Sequence, residues 1–256
     1  MCTFILSNTS TDFTTVNDSA TLDPNKKYEA ALVYLSTYNS IPNISERKNN
    51  RFTYSNDNGG TWKSIDLDTG AYELEDLNCE IKRHIKANGD DEAAIEISAN
   101  ISTLKSIVNI EKAHYQVDFR VDHSICSVLG FEKAVISSGY NMSNRKVDIT
   151  FINSILVNLD IIMGSYNKGH QYPTIHSFHP NVPRGYAIIE EPTPIYYPVS
   201  RYDVSRMRLW LTDQDGNLID LADERLTVRI HVRETKNSVL NSILDNLKDI
   251  KKSLLK

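Results

Sequence analysis

At 256 residues the chain could form one all-β domain or two small ones. Its 40% hydrophobic and 24% charged side chains exclude a disordered polymer and indicate a buried core. Twenty-eight basic against thirty-three acidic residues give a formal net charge of −5, which excludes a protein whose whole surface grips nucleic acid. Cys2, Cys79 and Cys126 are odd in number and far apart, so they read as reduced thiols rather than a disulfide framework or a zinc site.

Residues 1–25 are polar, with Phe4, Ile5, Leu6, Phe13 and Val16 scattered among Ser, Thr, Asn and Asp, and read as an N-terminal arm with a first edge strand. The opening Met1 to Leu6 has neither the basic start nor the apolar length of a secretory signal. Tyr28 to Tyr38 predicts a strand that ends at Pro42, because proline removes a ladder donor and restricts its predecessor. Arg51–Ser55 and Thr61–Leu67 flank Asn56-Asp57-Asn58-Gly59-Gly60 and read as a hairpin. That turn lacks the twelve-residue acidic spacing of an EF-hand.

From Ala71 to Lys86 the period changes: Leu74, Leu77, Ile81 and Ile85 fall three or four apart, which predicts an amphipathic helix stopped by Asn88-Gly89. Ala94–Ile97, Leu104–Ile110 and His114–Val121 read as short strands whose pairing the pattern leaves open. Asp122 is placed to cap one helical turn that ends at Gly130. Val147 to Phe151 then leads into the alternating set Ile155, Val157, Leu159 and Ile161. Met207, Leu209 and Leu211 alternate with Arg206, Arg208 and Trp210, and Asp215-Gly216 supplies a reversal between antiparallel strands. In the last strand Leu226, Val228, Ile230 and Val232 point one way, and Arg229, His231 and Arg233 the other. Residues 26–235 thus read as a single antiparallel sandwich or barrel.

Residues 236–256 differ in kind. Leu240, Ile243, Leu247, Ile250 and Leu254 recur every three or four positions, with Leu244 widening the stripe, and predict a C-terminal amphipathic helix. Its apolar face could dock on its own domain or on a neighbouring subunit. No stretch approaches the roughly 20 apolar residues that cross a bilayer, and no membrane partner is expected.

Motifs for chemistry are sparse. His170, His176 and His179 are candidate metal ligands, but none belongs to the His-x-Asp/Glu pair that a jelly-roll metal enzyme would use. The chain has no Gly-x-Ser-x-Gly elbow, no phosphate-binding loop and no dinucleotide fingerprint. Glu190-Glu191 would face opposite ways on a strand, and Asp213 and Asp215 flank a turn. Enzymatic activity and a bound cofactor are therefore not expected. Arg229 and Arg233, with Lys248, Lys251 and Lys252 of the tail, could form a basic stripe for weak contact with packaged DNA. Tyr166, Tyr172, Tyr196 and Tyr197 leave open a second reading, a module that stacks aromatic rings on sugars or a receptor.

Several strings, in order, carry a resemblance: Tyr28 to Asn43, Gly70-Ala-Tyr-Glu-Leu-Glu-Asp76, Leu129-Gly-Phe131, Gly164-Ser-Tyr166, Pro183-Arg-Gly-Tyr186 and Leu211-Thr-Asp-Gln-Asp-Gly216. Together they resemble the minor capsid, or penton, proteins of Polinton/Maverick elements and adintoviruses, over about residues 25 to 234. The resemblance implies a jelly roll that forms homopentamers at the fivefold vertices of a virion capsid, beside a double-jelly-roll major capsid protein. It implies a structural protein, made in the host cytoplasm or nucleus and not secreted, and it brings no catalytic residues. The tail finds no counterpart in the resemblance. On the residues themselves, Leu240, Ile243, Leu244, Leu247, Ile250 and Leu254 are the expected subunit interface.

Overall fold

The computed structural model describes residues 2–18, 20–149, 152–167 and 169–235. Its contacts divide the chain into two compact units, Met1–Asn39 with Ile152–Lys256, and Ser40–Phe151. The sequence pattern suggests one domain over 26–235. The structure instead sets 40–151 aside as a body with its own core, and the sandwich draws on both ends of the chain.

Three strands open the first unit: β1 (Cys2–Asn8), β2 (Asp12–Val16) and β3 (Tyr28–Tyr38). The expected arm, residues 1–25, thus supplies two strands. β3 spans the residues predicted as a strand, Tyr28 to Tyr38, and Ala30, Leu32 and Leu35 are buried along it.

The second unit follows. Its hairpin β4 (Arg51–Ser55) and β5 (Lys63–Asp66) pairs Phe52 with Ile65 and Thr53 with Ser64. Asp57 holds the turn: its carboxylate accepts hydrogen bonds from the Thr61 hydroxyl, from Thr61 N at 2.8 Å and from Ser55 Oγ at 2.7 Å. Those bonds, the Thr61 hydroxyl first, pull the Asp57 pKa down to about 2.

Helix α1 (Leu74–Ala87) buries Leu74, Leu77, Ile81 and Ile85, the four positions that the spacing selected. Each such aliphatic side chain contributes about 2 kcal/mol on burial. Glu73 N donates to Asp76 Oδ2 at 2.9 Å where the helix starts. Beyond it come β6 (Ile95–Asn100), β7 (Lys105–Ile110), β8 (Gln116–Asp118), α2 (Cys126–Leu129), β9 (Val135–Ile136) and β10 (Gly139–Met142).

The pairing that the sequence left open is now defined. β6 and β7 form a hairpin, extended to β10-β7-β6, while β8 joins the order β5-β4-β8-β9. Phe52, Tyr54, Phe119, Phe131 and the apolar face of α1 share one core. Asp122 does not cap α2. The N-cap is Ile125, whose aliphatic side chain cannot accept a hydrogen bond, and its N–H donates to Arg51 O at 2.9 Å, which fixes where the turn begins.

Val147–Ile149 is not a strand, contrary to the alternation. Val147 N and Asp148 N donate to Leu104 O and Val128 O, and Ile149 is buried in the core of the second unit.

The chain then returns to the first unit through β11 (Ile155–Leu159), β12 (Tyr166–Asn167), β13 (His170–Gln171), β14 (Thr174–Phe178), β15 (Ala187–Glu190), β16 (Tyr197–Pro198), β17 (Arg206–Thr212) and β18 (Leu226–Glu234). One sheet runs β1-β18-β3-β15 with β16 added along β3, and the other runs β14-β11-β17-β2. Every pairing in them is antiparallel. Numbered in chain order, the eight long strands read 1-8-3-6 and 5-4-7-2.

That order is a jelly roll, in which successive strands cross between two facing sheets at every step but one, from β11 to β14, which pair in the same sheet. The inward residues Leu6, Leu35, Val228, Ile230, Val157, Leu209 and Leu211 are all at most 1% exposed. Asp215-Gly216 does turn the chain, but not as a β17–β18 hairpin, since those strands lie in different sheets. Its turn folds back on β17 alone, with Asp213 N donating to Asn217 O at 2.9 Å.

Candidate functional site

β18 lies between β1 and β3, so its outward side chains form the middle of one sheet face. The Arg229 guanidinium lies 4.8 Å from the centre of the Tyr34 ring, on the neighbouring strand. Arg233 Nε donates to Glu29 Oε1 at 2.7 Å, and its guanidinium sits 3.4 Å from the centre of the Tyr196 ring. Between them, His231 Nδ1 is 2.8 Å from Tyr196 Oη.

The register dictates this grouping: Arg229 is opposite Tyr34, His231 opposite Ala31 and Arg233 opposite Glu29. Of the basic stripe read from sequence, Arg233 is thus neutralised by Glu29, while Arg229 remains exposed beside its aromatic partner. Lys248, Lys251 and Lys252 fall outside the described residues, as do Leu240, Ile243, Leu244, Leu247, Ile250 and Leu254.

The three histidines do not converge. His176 Nε2 donates to Glu190 Oε1 at 3.1 Å, His179 Nδ1 donates to Asn153 O at 2.8 Å, and His170 is an exposed residue of β13. Among the described residues no three His, Cys, Asp or Glu side chains gather as a metal would require. Asp213 commits its carboxylate to its own loop, accepting from Asp215 N, Asn217 N and Asn217 Nδ2 at 2.8 to 2.9 Å.

The four tyrosines separate as well. Tyr172 meets Trp210 edge to face at 6.5 Å, and Tyr196 is committed to His231 and Arg233. Tyr166 and Tyr197 line a single open cleft with Leu156, Ser165, Thr174, His176 and Ser177. Adjacent residues on a strand face opposite ways, which is why Tyr196 and Tyr197 part company. Sequence reasoning did not find Leu156, Ser165 and Thr174: the pairing of β11 with β14 brings Leu156 and Thr174 together, and Ser165 joins them by accepting a hydrogen bond from Thr174 N at 3.1 Å.

Two further features bear on assembly. Arg208, which the alternation placed outward, makes paired hydrogen bonds to Asp12 at 2.8 and 2.6 Å and lies 4.8 Å from the Trp210 ring centre. Arg208 holds the Asp12 carboxyl below its usual range, mainly through those bonds. Each sheet also ends in strands with one partner, β1 and β15 in one and β14 and β2 in the other. Large apolar side chains stand out on three of those four: Ile5 is 63% exposed, Val16 66% and Ile189 62%. No described helix is long and apolar enough to cross a membrane.

No family model matches the chain, and no curated protein sequence does. Among solved structures, the mavirus penton protein is similar over 91% of this chain and 99% of its own, at 12% identity and a TM-score of 0.48. The D1-D2-D3 domains of the flagellar cap protein FliD from Escherichia coli align over 98% of this chain and 64% of theirs, at 12% identity and a TM-score of 0.16. Likenesses this remote do not decide what the chain does. The jelly-roll assignment rests on the strand order.

Proposed function

We propose that this protein is a penton, a minor capsid protein whose homopentamers fill the fivefold vertices of an icosahedral shell built from a double-jelly-roll major capsid protein, in a virus or element of Polinton/Maverick type. The observation that carries this reading is the 1-8-3-6 and 5-4-7-2 strand order, an architecture that viral capsid proteins use to present flat flanks to one another. The ordered strings that resemble the Polinton/Maverick and adintovirus pentons add to it.

A closed ring needs a heterologous interface, one patch meeting a different patch on the next copy. The edge strands suit that requirement. Ile5 and Val16 mark β1 and β2, the edges formed by the first two strands, whereas Ile189 marks β15, at the opposite end of the β1 sheet. Burying such side chains against a neighbour contributes about 25 cal/mol per Å² of apolar surface, and a stable contact needs roughly 1,600 Å² in total. The stripe Leu240, Ile243, Leu244, Leu247, Ile250 and Leu254 would enlarge the contact. Any weak hold on packaged DNA would draw on Arg229 and the tail lysines, since Arg233 is already paired.

Native mass spectrometry of the purified chain, alone and with the major capsid protein, tests the reading. A species of five times 29.1 kDa is expected. A monomer under both conditions, or a closed dimer or trimer, refutes it.

A further inference from the structure

The cleft that holds Tyr166 and Tyr197 contains none of the exposed apolar side chains Ile5, Val16 and Ile189 on which the proposed assembly draws, and its chemistry is specific. Its floor is the half-buried Leu156 of β11, and two phenol rings line it. Tyr166 is 73% exposed and makes no ring contact among the described residues, so one ring face is free. The remaining lining is hydroxyl and imidazole: Ser165, Thr174, His176 and Ser177.

Several of these groups are fixed by their own bonds. Ser165 Oγ donates to Tyr172 O and accepts from Thr174 N at 3.1 Å, Thr174 Oγ1 donates to the buried Asn158 at 2.8 Å, and Glu190 orients His176. The hydroxyls of Tyr166, Ser177 and Tyr197 have no hydrogen-bond partner among the described residues and stay free for a ligand.

From this we infer that the cleft is a binding site for a neutral glycan. A pyranose has one face of C–H bonds, which packs on an aromatic ring, and a rim of hydroxyls that both donate and accept. The cleft offers that combination, an exposed ring beside an aliphatic floor, with hydroxyls and a positioned imidazole around them. The charge restricts the ligand class. Among the described residues no Lys or Arg lines the cleft, and His176 Nε2 is bonded to Glu190 Oε1, so a sialylated or sulfated sugar would find no cation among them to offset its charge. In an oligomer the site would be repeated, so that weak single contacts add up to tight attachment to a glycosylated surface. The inference stands apart from the penton reading, because it concerns the ligand of one copy and not the number of copies.

Saturation-transfer NMR on the full chain with lactose, chitotriose, mannotriose and 3′-sialyllactose provides the test. At least one neutral sugar should bind saturably, with a dissociation constant of about 1 mM, and sialyllactose should not. Tyr166→Ala and Tyr197→Ala should each weaken that binding at least tenfold, while Tyr140→Ala, an exposed tyrosine elsewhere, should leave it unchanged. Circular dichroism of each variant checks that the fold survives, and Ser177→Ala, at an exposed position, provides a second reading of the site. Absence of saturable binding by all three neutral sugars overturns the inference. So does sialyllactose binding as tightly as lactose, or full binding by the Tyr166→Ala protein.

Discussion

Replacing Gly130 with alanine should destabilise the second unit well beyond the usual cost of such a change. Gly130 ends α2 at φ +77°, a conformation that costs an L-residue about 1 kcal/mol. A Cβ there would lie 2.5 Å from Arg145 O and 2.7 Å from Lys146 O, both backbone atoms. Those atoms cannot readily retreat, because Arg145 N donates to Gly130 O at 2.9 Å and ties the two segments together. Forcing them apart costs about 1–3 kcal/mol more, as overpacking does.

Gly89 is the internal control. It has nearly the same φ, +78°, but a Cβ added there would meet nothing within 4 Å, so Gly89→Ala incurs the conformational cost alone. Both substitutions remove similar backbone freedom from the unfolded chain, and that effect cancels in the comparison. The assay is urea unfolding followed by Trp62 fluorescence in a Trp210→Phe background, since Trp62 belongs to the second unit and Trp210 to the first. With a urea dependence of about 1.5 kcal/mol per molar, Gly130→Ala should unfold about 1 M earlier than Gly89→Ala. Equal midpoints would refute the claim that the Gly130–Arg145 approach requires glycine.

Asp90 is nearly buried and accepts from Tyr54 Oη, Lys63 Nζ and Asn56 Nδ2 at 2.6, 2.6 and 2.7 Å, so Asp90→Asn should cost about 2 kcal/mol at pH 7. Burial by itself would raise this carboxyl, but Lys63 and Tyr54 outweigh it and set the folded pKa below the unfolded one. The contribution is therefore complete above the unfolded value near 4 and fades as pH falls through the folded value; a wild-type minus variant difference that stays constant from pH 7 to pH 2 would refute this. Arg208→Ala should return the Asp12 carboxyl toward its ordinary titration range, as read by NMR; an unmoved Asp12 would show that the pair is not what depresses it. Deleting residues 236–256 should shift the population from five copies to fewer while Trp210 fluorescence still reports a folded sandwich, and an unchanged copy number and stability would remove the tail from the proposed interface.

The elements that were legible in the sequence are those whose signal is local. The spacing of Leu74, Leu77, Ile81 and Ile85 predicts α1, and the alternation of Leu226, Val228, Ile230 and Val232 predicts the inward face of β18, because periodicity follows from backbone geometry alone. The same logic misled at Val147–Ile149, where alternating residues serve a loop whose N–H groups are taken by Leu104 and Val128. The site was legible in part. Tyr166 and Tyr197 were marked as candidate aromatics, but nothing local distinguishes them from Tyr172 and Tyr196.

What the sequence by itself determined is the class: antiparallel strands with one internal amphipathic helix. Beyond the β4–β5 hairpin, the tertiary structure alone decided which strands are neighbours. Cys2 pairs with Val232, and residues 40–151 form a separate unit between β3 and β11. Such pairings join residues more than two hundred positions apart. A strand's period shows which face is buried, whereas its partner is chosen only when the whole chain has collapsed and every edge has competed for it.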